Sequence, residues 1–181
     1  MDEKEFKGLL GESLTELILQ KNIGVYKQIV HNLIIPTENN KFTQIDNILI
    51  TTKWIFVIEN KNFSGIIKNN QDGSWYTILN KEPYPVKYNP IEQNKYHIKY
   101  LQKLLNKDSN LFYSLIVLGY NTRNQVNITN NINTKVIKID ELTETILNIM
   151  LNTKETKLSH EEIDDIYLKL KYNKHEWIYK I

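Results

Sequence analysis

The chain has 181 residues, 41% of them hydrophobic, with 23 Lys or Arg against 21 Asp or Glu and a formal net charge of +2. That length and apolar content suffice for one compact domain over residues 1–181, and charge so close to balance does not by itself identify a nucleic-acid binder. The absence of cysteine excludes a disulfide scaffold, a thiolate zinc site and a cysteine nucleophile, and His31, His97, His160 and His175 show no zinc-ligand spacing. No apolar run approaches the roughly 18 residues of a membrane span, and Met1-Asp2-Glu3-Lys4-Glu5 is no signal peptide, so a cytoplasmic location without membrane contact is expected.

Taken in chain order, residues 3–21 place Phe6, Leu9, Leu10, Leu14, Leu17 and Ile18 at helical spacing, with Glu12 and Glu16 on another face. A strand is predicted over 25–35, ended by Pro36 and a polar loop. Two strands then run from Gln44 to Lys61 about a tight turn, and 63–67 with 75–79 form a hairpin about Asn69-Asn70-Gln71-Asp72-Gly73. Asn89 as N-cap, Pro90 and Glu92 open a helix to about Leu105, with Glu92 where a capping box wants it. Residues 112–118 read as a buried strand and 135–139 as a shorter one, and a helix runs from Asp140 to about Leu151. Ser159 and Glu162 form a second capping box ahead of a helix to about Tyr172. This order predicts an α/β fold with a mixed sheet, helices on both faces, and 54–58 and 112–118 as its central strands.

The informative stretch is Asp46 followed by Glu59-Asn60-Lys61. On a strand, Glu59 and Lys61 share one face and Asn60 takes the other. Pairing of the two strands brings Asp46 toward Glu59, giving two carboxylates, with the Asn60 carbonyl as a further oxygen, for a hard divalent ion beside Lys61. A lone Glu-x-Lys is more often a solvated ion pair at a strand end, and the surrounding pattern is what raises it.

Gly11-Glu12, Gln44-Ile45-Asp46, Phe56-Val57-Ile58-Glu59-Asn60-Lys61-Asn62, Ser64-Gly65, Trp75 and Asn89-Pro90-Ile91-Glu92-Gln93-Asn94 together resemble the nuclease-related domain (NERD), a relative of the PD-(D/E)XK nucleases. The motif core spans 7–105, and the strand and helices of 106–181 resemble the usual end of such proteins. The resemblance implies a restriction-endonuclease-like three-layer α/β/α fold with a central mixed sheet. It also implies metal-dependent phosphodiester cleavage, most simply of DNA. Carried onto this sequence, it makes Asp46 and Glu59 metal-binding acids, Lys61 the catalytic lysine, Glu12 the first-helix acid and Gln93 the glutamine of the helix after the sheet. Two positions depart from the pattern: Asn47 where His is common, and Asn60 where Val is usual. The second puts a polar group on the core side of the strand, with weaker packing or a shifted register as the expected result.

The sequence therefore predicts a nuclease using Mg²⁺ or Mn²⁺ at Asp46, Glu59, the Asn60 carbonyl and Glu12, with Lys61 and Gln93 acting on water or phosphate. Lys87, just ahead of the helix, and Lys95, Lys99 and Lys103 along it form a candidate phosphate-tracking surface with Tyr88 and Tyr96 interleaved and Gln93 as a further contact, although a solvated helix face reads the same way. His97 reads as a structural polar residue and Trp75 as core. The alternatives are a nucleic-acid-binding module of the same fold with little cleavage, and an interaction domain with neither property. A homodimer, or a helicase or other DNA-processing partner, is compatible with each.

Overall fold

The computed structural model describes residues 3–126 and 133–178, with side chains described over 8–126 and 133–172; the side chain of Phe6 lies outside the described residues. The elements are α1 (Glu3–Asn22), β1 (Lys27–Pro36), β2 (Phe42–Thr51), β3 (Ile55–Lys61), β4 (Gly65–Asn69), β5 (Trp75–Leu79), β6 (Glu82–Pro85), α2 (Pro90–Leu105), β7 (Phe112–Leu118), β8 (Thr122–Gln125), β9 (Thr134–Lys138), α3 (Leu142–Asn152) and α4 (His160–Ile178).

The main sheet has the order β1-β2-β3-β7-β9: β1, β2 and β3 are antiparallel, whereas β3, β7 and β9 are parallel. Both central strands are apolar along nearly all of their buried length because each face is covered, the exceptions being Ser114 in β7 and Glu59 near the end of β3. Ile55, Val57 and Phe112 pack toward α2 and α4 through Leu101, Leu105, Ile163 and Leu170. Phe56, Ile58, Leu115 and Val117 pack toward α1 and α3 through Leu19, Ile23, Leu142 and Ile146. This is the three-layer α/β/α arrangement with a central mixed sheet that the sequence leads one to expect. Among the described residues no helix is long and apolar enough to cross a membrane.

A smaller sheet, β6-β5-β4-β8, grows from the end of β3. Its Ile67 and Trp75 join Ile116, Leu118 and Ile91 in a third cluster, so Trp75 is core. Gly65 has φ +83, and a Cβ there would lie 2.2 Å from the Ile78 carbonyl oxygen, so only glycine fits this start of β4. Two of these strands are absent from the sequence reading. The segment Glu82-Pro83-Tyr84-Pro85 pairs only with β5, at a sheet edge where proline is tolerated, and Thr122–Gln125 has no apolar alternation.

The helices also depart in detail. Leu9, Leu10 and Leu17, expected to be buried, are 48%, 52% and 43% exposed, while Thr15 and Leu19 are fully buried. The N-terminal half of α1 therefore turns Gly8, Gly11, Glu12 and Thr15 toward the molecule, with Leu14 the one leucine among residues 8–15 that packs on the core. Asn89 caps α2 by accepting from the Ile91 amide at 2.9 Å, but Glu92 turns to Lys95 at 2.6 Å. The Ser159/Glu162 capping box forms in both directions, at 2.9 and 3.1 Å.

Candidate functional site

The β2–β3 ladder runs from Ile50 opposite Ile55 to Asn47 opposite Ile58, and the next positions in that register are Asp46 and Glu59. On the other side of β2, the β1 ladder skips the step between His31–Asn47 and Leu33–Ile45, where Asn32 stands at φ 49 opposite Asp46. Asn tolerates this left-handed conformation better than most side chains. Asp46 thus sits where the ladders on both sides of its strand are interrupted. Its Oδ2 accepts the Asn60 amide at 2.8 Å, tying the end of β3 to β2.

Strand alternation then sorts β3. Asn60 turns toward α1, where its Oδ1 accepts the Thr15 hydroxyl at 2.6 Å; its Nδ2 is buried without a partner among the described residues. The Asn60–Val117 pairing with β7 keeps its place in an unbroken parallel register. The polar group expected to disturb packing or register therefore causes no slip, because a buried threonine meets it.

Glu59 and Lys61 turn the other way, toward α2. The Lys61 ammonium stands 2.6 Å from Glu59 Oε1, and Glu59 is 1% exposed. The second oxygen, Oε2, is 3.4 Å from His97 Nδ1, too long for a good hydrogen bond, and both atoms are otherwise unpartnered among the described residues. Burial foremost, then Asp46, pushes the Glu59 carboxyl up to about 7 against the opposing pull of Lys61, with Glu12 adding to the rise. Burial and Lys61 hold His97 down to about 4, which keeps it neutral as expected of a structural polar residue. Asp46 is raised by burial against the hydrogen bond from Asn60 and the charge of Lys61. Glu12 is raised by burial and by Asp46, again opposed by Lys61. Glu12, Asp46, Glu59 and Lys61 thus share one electrostatic neighbourhood, beside a small cleft lined by Gly8, Gly11, Glu12, Asn60, Lys61 and Gly119.

Among the described residues no three His, Cys, Asp or Glu side chains stand close enough together to form a ready-made metal cage. The donors nevertheless suit a hard cation. They are carboxylate oxygens together with the backbone carbonyl of Asn60, Glu59 Oε2 is buried without a hydrogen bond among the described residues, and Asp46 raises the proton affinity of both Glu12 and Glu59.

Gln93 is half-buried on α2, one turn before His97. Next to it, Asn94 is fully buried and donates from Nδ2 to the Val57 carbonyl at 2.8 Å and to Ser114 Oγ at 2.9 Å, fixing α2 against β3 and β7. Sequence reasoning missed Asn94 and Thr15; their signal was a polar residue in line with the buried helix face. The candidate phosphate contacts on α2 and just before it are largely engaged. Lys95 pairs with Glu92 at 2.6 Å, Lys99 and Lys103 with Glu38 at 3.3 and 3.5 Å, and the Lys87 ammonium lies 5.1 Å from the Tyr88 ring centre.

An uncharacterized protein of Bacillus anthracis is 33% identical over 106 residues, which cover 57% of this chain and 49% of that protein, so this chain spans about half the length of that relative. Two crystal structures are similar at lower identity. One is AF1548, a protein of unknown function, with 12% identity, a TM-score of 0.42 and coverage of 92% and 99% of the two chains. The other is the small subunit of the heterodimeric restriction endonuclease R.BspD6I, with 9% identity, a TM-score of 0.34 and coverage of 90% and 89%. Residues 7–119 match the model of the nuclease-related domain; this stretch, well over half of the chain, carries Glu12, Asp46, Glu59, Lys61 and Gln93, and the chain belongs to the NERD family.

Proposed function

We propose that the chain is a metal-dependent nuclease that hydrolyses phosphodiester bonds in DNA, with Asp46, Glu59 and the Asn60 carbonyl holding Mg²⁺ or Mn²⁺ and Glu12 completing the site. The observation that carries this reading is the placement of Asp46, Glu59 and Lys61 where the strand ladders end, with Glu12 on α1 close enough to feel Asp46 and to raise Glu59. Acids built only for stability would not be buried in mutual repulsion. A divalent ion bound there supplies charge to offset that repulsion and Lewis acidity toward a phosphoryl oxygen.

The protein's own groups have separable tasks. Asp46 is held in position by the Asn60 amide. Lys61, 2.6 Å from Glu59, places a cation where negative charge develops on phosphorus. Gln93, on the α2 turn before His97, would orient water or phosphate. A second reading, a nucleic-acid-binding module with little cleavage, is favoured by the Lys61–Glu59 ion pair, which engages one of the ligand oxygens.

The test is cleavage of labelled single-stranded DNA, duplex DNA and RNA in Mg²⁺, Mn²⁺ or EDTA, beside Glu59→Gln and Lys61→Ala. Metal-dependent products that both substitutions abolish support the nuclease. Intact substrate with wild-type protein that still binds it supports the module instead.

A further inference from the structure

The small sheet turns one face into the third core cluster through Ile67 and Trp75. Alternation leaves the opposite face outward, and the register places two rows of side chains on it: Arg123, Ile66 and Ile78, then Gln125, Lys68 and Tyr76. Arg123 and Gln125 are exposed and the other four half-buried. None of the strand positions sharing this face is Asp or Glu, and among the described residues neither Arg123 nor Lys68 has a carboxylate within ion-pair distance. The lysines of α2 differ, since Lys95, Lys99 and Lys103 stand beside Glu92 or Glu38.

Arg123 is the sole arginine of the chain, whose other side-chain cations apart from histidine are all lysines. A guanidinium presents a planar fork that matches phosphate and lies flat on bases, which lysine does not. A half-exposed tyrosine ring and two isoleucines beside two unneutralised cations make a surface that is apolar and positive together. That combination fits unpaired bases joined by phosphates better than a duplex, whose bases are stacked inside.

This face is tied to the site. The Gly119 amide donates to the Lys61 carbonyl at 3.0 Å, the Thr122 amide donates to the Gly119 carbonyl at 2.9 Å, and the Thr122 hydroxyl bonds both the amide and the carbonyl of Phe63. Gly119 lines the cleft beside Lys61, Tyr120 follows it at 60% exposure, and Arg123 is the first outward residue of β8.

We propose that the outer face of β4, β5 and β8 binds single-stranded nucleic acid, with phosphates at Arg123 and Lys68 and a base stacked on Tyr76, and that the strand reaches the cleft past Tyr120. The choice of nucleic acid as ligand rests on the nuclease reading. The experiment is fluorescence anisotropy with labelled oligo-dT and with a labelled duplex, in EDTA so that nothing is cut, over a salt series. It compares wild type with Arg123→Gln/Lys68→Gln, Tyr76→Ala and, as a contrast, Lys95→Gln/Lys99→Gln, each checked by thermal melting.

The expected result is at least tenfold weaker oligo-dT binding by the Arg123/Lys68 variant. Its log K against log salt slope should be shallower by about 1.4, at about 0.7 per phosphate contact. Tyr76→Ala should lose single-strand affinity and leave duplex affinity in place, and the α2 variant should bind as wild type. Unchanged oligo-dT binding in the first variant, no binding by wild type, or a duplex preference in wild type would each overturn the proposal. Cleavage is scored separately: a wild type that binds through this face without cutting removes the nuclease reading alone, and one that cuts with binding unaltered in the variants removes this inference alone.

Discussion

Thr15 and Asn60 share a buried hydrogen bond of 2.6 Å that joins the helix bearing Glu12 to the strand bearing Glu59 and Lys61. The Asn60 amide meanwhile holds Asp46, so one residue braces acids from two other elements. Thr15→Val leaves the buried Asn60 oxygen without its donor and should cost about 1–3 kcal/mol, and Asn60→Val strands the Thr15 hydroxyl similarly. The double substitution to valine removes both polar groups and should be milder than the sum of the singles. Urea unfolding of the four proteins checks this, and strictly additive losses would refute the pairing.

Divalent ions should stabilise the folded chain whether or not a substrate is present. With Mn²⁺ at about 100 times its Kd, the gain expected is about 2.7 kcal/mol, or roughly 5–10 °C in Tm for a chain of this size. Glu59→Gln should abolish most of that rise in a thermal melt. An equal Mn²⁺ response in wild type and variant would place the ion elsewhere.

In the absence of metal, two buried groups give opposing pH dependences. With the Glu59 carboxyl raised from 4.5 to about 7, the folded chain holds a proton that the unfolded chain has released between those values. Stability therefore falls as pH rises through that window. Asp46 and Glu12, also raised, act in the same sense. With His97 lowered from 6.5 to about 4, the unfolded chain holds the extra proton, and stability rises with pH over that interval. His97→Gln should expose the first slope, a loss on the order of 3 kcal/mol from pH 4.5 to 7, and Glu59→Gln should expose the second. Unfolding free energies at pH 5, 6 and 7 check both; flat profiles in the two variants would contradict the burial argument.

Asn94 offers a test away from the acids. Asn94→Leu strands the Val57 carbonyl and the Ser114 hydroxyl and should destabilise by about 2 kcal/mol. Because α2 also carries Gln93, cleavage under conditions where the variant remains folded should fall as well. Undiminished cleavage would show that α2 contributes no placement to the chemistry.

Where periodicity and tertiary need coincide, the sequence is a sufficient guide. The run 54–61 is covered on both faces up to its acidic end, and Ser159 with Glu162 forms its reciprocal cap. Where they part, the reading fails for a physical reason. Leu9, Leu10 and Leu17 have helical spacing, but the helix is turned by Thr15 and by the opening beside Glu12, so those leucines meet solvent. The edge strand Glu82–Pro85 needs no apolar alternation because nothing packs on both of its sides. The gap in pairing at Asn32 leaves no trace in hydrophobicity, since it depends on one backbone angle. The acids were visible as an anomaly in an apolar strand, whereas their brace, Thr15, looks like any helical threonine until β3 lies beneath it.

The turn between β2 and β3 is gripped by the far end of the chain. The amides of Lys157 and Leu158 both donate to the Thr52 carbonyl, at 2.8 and 3.0 Å. Lys53 reaches the carbonyls of Met150 and Thr153, and the Trp54 indole donates to the Thr153 hydroxyl at 2.7 Å. All of those partners lie beyond residue 119, where the family match stops. The stretch that matches the family model therefore does not carry its own clasp: cut at residue 119, the hairpin carrying Asp46 and Glu59 would lose these contacts, and the sheet would lose the cover of α3 and α4.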